Sequence, residues 1–169
     1  AFTHYGDQAL VLLRSVSSQK GFDLSHFRAA WCELFDHYTG YLDGATKETL
    51  KNMGSDIEMD TPGSMSEDLG GAARIAPLAL VYHGNADQFV QAAVAQTAMT
   101  HNQEMVKQSA TFFSRVAVEV FQGQSPVDSM EKVLAAMPSS AVVVPLIRAG
   151  LDSRGQATGQ TIKKFGQMC

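Results

Sequence analysis

The stretch DLSHFRAAWCELFDHY, residues 23–38, decides how this chain folds. Leu24, Phe27, Trp31, Leu34, Phe35 and Tyr38 recur at i, i+3, i+4 and i+7, the spacing that lines one face of an α-helix, and Asp23 precedes them where an N-cap belongs. The pattern predicts a core helix. Moving outward, helices are expected over residues 7–19 and 46–53. Another starts at Asn85 with Gln88 three residues on and Phe89, Ala93, Val94 and Thr97 as its apolar side. A further helix is expected from near Asn102, carrying Val106, Ala110, Phe113, Val116, Val120 and Phe121 and ending at Gly123. Ser125-Pro126-Val127-Asp128 opens a shorter one that stops at Pro138, because serine caps, proline suits the first turn and aspartate favours the positive helix end. Residues 140–148 and 152–165, separated by Gly150, complete the set, with a strand at Val142–Val144 as the alternative. No hairpin signal interrupts this series. The chain reads as one all-α domain over residues 1–169, a compact multi-helix bundle.

The chain has 169 residues, enough for one domain with a real core, and both ends read as cut, so a fragment of a longer domain is expected. Charged residues make up 18% and the net charge is -4, so no basic field gathers nucleic acid or an acidic membrane surface. No apolar run approaches the roughly 20 residues that cross a bilayer. Cys32 and Cys169 give neither a disulfide framework nor a paired metal-ligand spacing, and a reducing, cytoplasmic home is expected.

Chemistry-bearing residues are sparse. Asp56, Glu58 and Asp60 alternate in a polar loop over residues 54–63, without the glycine and terminal glutamate of an EF-hand, and read as a solvated acidic loop. Histidines 4, 26, 37, 83 and 101 show no helical metal-binding spacing. No nucleophile elbow or P-loop is present, and Cys32 reads as a packed thiol.

One segment breaks the helical rules. Gly70-Gly71-Ala72-Ala73-Arg74-Ile75-Ala76-Pro77-Leu78 places two glycines, a cation and a proline in a helical sequence, at a cost of roughly 1 kcal/mol per glycine and about 3 for a proline in a helix interior. Close approach of backbone to a neighbouring helix or to a ligand offsets such a cost. Arg74 reads either as a buried structural pair or as a ligand contact, and His101, after Thr100, either as a structural hydrogen-bonder or as an acid–base group. Tyr5-Gly6-Asp7-Gln8-Ala9-Leu10 opens the first helix, with Asp7 either a charge at the positive helix end or a metal ligand.

These blocks resemble the ADP-ribosylglycohydrolase family, which includes the dinitrogenase-reductase-activating glycohydrolase and the J1 crystallins. The glycine-rich segment is similar to the family's Gly-rich run ending in Met-Arg and Pro-Leu. Thr97-Ala98-Met99-Thr100-His101 resembles its Thr-His block, and Tyr5-Gly6-Asp7-Gln8-Ala9 falls where the family has Thr-Asp-Asp-Thr. The resemblance implies an all-helical fold and Mg²⁺-assisted hydrolysis of the bond between ADP-ribose and a protein side chain, typically arginine. It implies ADP-ribose or an ADP-ribosylated protein as partner, Asp7 as catalytic and metal-binding, and Ser66, Gly70, Gly71, Arg74 and His101 as ligand contacts. Ser64 and Ser66 themselves read as caps leading into the glycine-rich helix. It leaves the oligomeric state open. Gln8 replaces the second metal aspartate with a neutral oxygen, Asp68-Leu69 stand for Gly-Asn, and the family's terminal Gly-Asp-Ala-x-Gly and Asp-x-Asp motifs have no counterpart. The alternative is a catalytically degenerate ADP-ribose-binding or crystallin-like structural protein.

Overall fold

A computed structural model describes residues 2–55 and 62–165; the acidic run Asp56, Glu58, Asp60 lies outside the described residues, as does Cys169. The described residues form ten helices and no strand, so the fold is all-α. In chain order these are α1 (His4–Gln19), α2 (Leu24–Asp36), α3 (Gly44–Met53), α4 (Gly70–Ala73), α5 (Ala76–Tyr82), α6 (Ala86–Ala98), α7 (Glu104–Phe121), α8 (Pro126–Ala136), α9 (Val143–Asp152) and α10 (Thr158–Phe165). None of them is long and apolar enough to cross a membrane.

The caps follow the sequence. Asp23, Asn85 and Ser125 each accept a hydrogen bond from the backbone N–H three residues on, and Asp43 does the same for α3. α1 packs on α2 and α5, α6 on α7, and α7 on α8, while short α4 is wedged against α6 and α7. Leu12 and Val16 of α1, Phe27 and Trp31 of α2, Leu78 of α5 and Phe89 of α6 fill one core. Phe112 of α7 joins Val133, Leu134 and Leu151 in a second.

Four expectations need correction. The Gly70–Leu78 run is two helices, not one. Arg74 and Ile75 break it, and Pro77 falls in the first turn of α5, where a missing N–H costs nothing. On α7 the buried aromatic is Phe112, fully enclosed, whereas Phe113 is 38% exposed and Phe121 is largely solvated. Gly150 lies inside α9, and the chain turns instead at Gly155, whose φ of +81° only glycine adopts readily. Leu24 at the start of α2 is exposed rather than core, while Val142–Val144 leads into α9 as the helical reading of residues 140–148 expects.

Candidate functional site

Where α4 meets α1, α2 and α6, the structure gathers a buried polar cluster. Arg74 is its centre, 4% exposed and carrying a guanidinium among helices. Its Nη1 donates to Gln8 Oε1 at 2.6 Å, its Nε to Gln96 Oε1 at 2.8 Å, and its Nη2 to the Gln96 carbonyl at 3.1 Å and to Thr100 Oγ1. Every one of these acceptors is uncharged. Burial lowers the Arg74 pKa to about 10, against the pull of the Asp43 and Asp68 carboxylates, so it remains a cation at neutral pH. The Phe27 ring lies 5.6 Å from its carbon centre, a stacking contact suited to a weakly hydrated guanidinium.

Gln8 is engaged twice, because Trp31 Nε1 also donates to its Oε1 at 2.8 Å. Gln96 closes the other side: its Nε2 donates to the Gly71 carbonyl at 2.8 Å and to Thr97 Oγ1 at 2.6 Å. From Thr100 the cluster continues to His101, whose Nδ1 lies 2.9 Å from Thr100 Oγ1 and whose Nε2 lies 3.0 Å from Asp68 Oδ1. Burial first, and then the Arg74 charge, push the His101 pKa below its ordinary 6.5, while Asp68 opposes them.

The glycines explain themselves here. A Cβ on Gly71 would meet His101 Nδ1 at 2.9 Å and Thr97 Cγ2 at 3.1 Å; one on Gly70 would meet Asp68 Oδ1 at 2.8 Å and Tyr5 Cε1 at 3.0 Å. Close backbone approach to a neighbouring helix is therefore real, and the neighbour is the Thr97–His101 corner.

The structure thus brings Gln8, Gly71, Arg74 and His101 together, with Gly70 beside them. Asp7 faces elsewhere: Thr3 caps α1, and Asp7 Oδ2 accepts the Tyr38 hydroxyl at 2.8 Å. Ser66 serves the turn before α4, exchanging hydrogen bonds with Asp68 at 3.3 Å, while Asp68 Oδ1 takes the Gly70 N–H at 2.6 Å. Ser64 caps nothing. Buried, it pairs with His101 in an isolated parallel bridge.

Sequence reasoning did not single out Gln96, nor the neighbouring His4–Asp43 pair against which Tyr5 lies. His4 Nε2 lies 3.0 Å from Asp43 Oδ2, both side chains buried, and Tyr5 stacks on His4 with ring centroids 3.9 Å apart. Burial alone would raise the Asp43 carboxyl, but hydrogen bonds at Thr46 and the nearby His4 outweigh it and hold the pKa below its ordinary 3.8. Burial raises the Tyr5 pKa, and Asp43 and Asp68 add to the effect. No spacing signals this group, since His4 and Asp43 are 39 positions apart in the chain.

A hard dication needs several convergent carboxylate oxygens. Among the described residues no group of three or more His, Cys, Asp or Glu is placed to hold a metal ion. Asp7 is turned to Tyr38, and the one Gln8 oxygen already receives a guanidinium and an indole N–H. The donor set of these described residues does not fit Mg²⁺.

The family model for ADP-ribosylglycohydrolase matches residues 1–166. Crystallin J1A of Tripedalia cystophora is 24% identical over 184 residues, covering 99% of this chain and 56% of that protein. The chain therefore spans little more than half the length of that curated relative. No solved structure gives a significant match. With the glycine-rich and Thr-His blocks joined through Arg74, Gln96 and Thr100, and with the match running over nearly every residue, the chain belongs to the ADP-ribosylglycohydrolase family.

Proposed function

We propose that this chain is a catalytically degenerate member of the family, which keeps the helical frame and uses its polar centre for stability, in the manner of a crystallin, rather than for Mg²⁺-dependent hydrolysis. The double engagement of Gln8 supports this reading. Its carbonyl oxygen, at the block that resembles the family's metal-binding aspartates, is an internal acceptor for Arg74 and Trp31. Arg74, Gln96, Thr100 and His101 likewise satisfy one another, so the buried groups that would greet ADP-ribose already serve the core. The likeness to a crystallin over nearly the whole chain points the same way.

Family membership favours a second reading. There the protein hydrolyses the glycosidic bond between ADP-ribose and a protein side chain with Mg²⁺, Asp7 serving the metal and Gly70, Gly71, Ser66, Arg74 and His101 the ligand. Calorimetric titration of the full-length protein with ADP-ribose, with and without Mg²⁺, together with release of ADP-ribose from an ADP-ribosylated arginine protein, separates the two. Degeneracy predicts no Mg²⁺-dependent heat and no release above a heat-denatured control. Mg²⁺-dependent turnover would overturn it.

A further inference from the structure

Beside the polar cluster, between the turn that enters α4 and helices α7 and α9, lies a cleft of about 500 Å³. That volume suits a small molecule, since ligand pockets commonly span about 300–1,000 Å³. Leu69, Met105, Phe113, Leu146 and Ile147 make its walls apolar, and Leu69, Phe113 and Leu146 are 43%, 38% and 55% exposed, so the apolar surface is open to solvent.

Charge at the rim has one sign. Glu67 and Asp68 stand there, and no lysine, arginine or histidine lines the cleft. Asp68 is anchored by the Gly70 N–H and by His101, which fixes its carboxylate in place. Glu67 is exposed and makes no ion pair among the described residues. The basic side chains of the flanking helices are engaged elsewhere: Lys107 of α7 with Glu104 at 3.2 Å, and Arg148 of α9 with Glu131 at 2.8 Å. No cation among the described residues lines the cleft itself; Asp68 is partly answered from behind by His101 and the buried Arg74 charge, which leaves Glu67 as the unpaired carboxylate at the rim.

We infer that this cleft binds a small apolar organic cation, an alkyl- or arylalkyl-ammonium whose charged head meets Glu67 and Asp68 and whose body lies against Phe113, Leu146 and Met105. Opposite charge in a partly desolvated pocket strengthens the head contact, and the Phe113 ring adds an aromatic wall for the body. The same rim repels phosphates and carboxylates. The inference stands on the cleft alone, so it holds whether or not the protein turns over ADP-ribose.

Three matched probes test it on the full-length protein: 4-phenylbutylamine, neutral 4-phenylbutanol and anionic 4-phenylbutyrate, titrated while the methyl NMR signals of Met105 and Leu146 are followed. The amine is expected to bind about tenfold or more tightly than the alcohol, and the carboxylate more weakly than either. Glu67→Gln should weaken the amine about fivefold and leave the alcohol unchanged. Leu146→Gln, at a position 55% exposed and checked for an unchanged far-UV CD spectrum, should weaken both. Equal affinity for amine and alcohol, tighter binding of the carboxylate, or no binding of the amine would each overturn the inference.

Discussion

Gln8 is the residue on which the polar centre turns, because one carbonyl oxygen satisfies a buried guanidinium and a buried indole N–H. Gln8→Ala leaves both donors without a partner, at roughly 1–3 kcal/mol for each buried group and more for the charged one, so urea unfolding should show a loss of about 2–4 kcal/mol. Trp31 is the chain's single tryptophan, so its emission should shift in the folded variant, whereas a change confined to α1 would leave it where it was. His101 sets a second expectation. Its folded pKa lies below the ordinary value, so the unfolded chain binds more protons as the pH falls through about 6.5. The stabilising contribution of neutral His101 is thus full above that pH and declines below it. His101→Gln should flatten this part of the pH–stability curve. Asp43 acts in a separate window: its depressed pKa gives stability that is full above about 3.8 and is lost as the pH falls below. An unchanged slope between pH 6.5 and 5 in the His101 variant would assign the acid sensitivity to other groups.

Helices differ in how legibly they were written. Asp23, Asn85 and Ser125 announced their starts, because a side-chain oxygen placed three residues before an otherwise orphaned N–H is a local signal that no tertiary contact needs to supply. The phase of α7 was not legible: Phe112 and Phe113 are adjacent, and only the packing of α8 and α9 decides which one is enclosed. Phe112→Ala should therefore cost about 3–5 kcal/mol, and Phe113→Ala well under half as much, as read by denaturant midpoints. The break between α4 and α5 was hidden for a similar reason, since Arg74 leaves the helical path in order to reach Gln8 and Gln96 from distant helices. Candidate-site residues were legible as types more than as directions. Gly71, Arg74 and His101 converge, whereas the 100° turn between successive helical positions sends Asp7 to Tyr38 and Gln8 inward. The His4–Asp43 contact, made between the first residue of α1 and the N-cap of α3 with all of α2 between them in sequence, had no local signature.

At the scale of the whole molecule, the polar centre is built on one guanidinium and its neutral acceptors, and the described residues offer no cluster of carboxylates for a dication. Thermal unfolding should accordingly be indifferent to divalent metal: millimolar MgCl₂ or EDTA is expected to leave the Tm of the full-length protein within about 1 °C, because a ligand stabilises only by binding the native state. A rise of several degrees with Mg²⁺ would point to metal ligands outside the described residues. The bridge between Ser64 and His101 has a reach beyond its size. The Thr100 carbonyl oxygen accepts Ser64 N–H, Ser64 Oγ–H and Thr49 Oγ1–H, each at 3.0 Å, while the Asn102 N–H returns to the Ser64 carbonyl at 2.8 Å. Three segments far apart in the chain meet on one oxygen, so the Ser64 and Asn102 amides cannot meet solvent unless α3, the α4 approach and the α6–α7 corner separate together. Their deuterium uptake should match that of the interior of α6, making two loop amides the clock for cooperative opening of the domain.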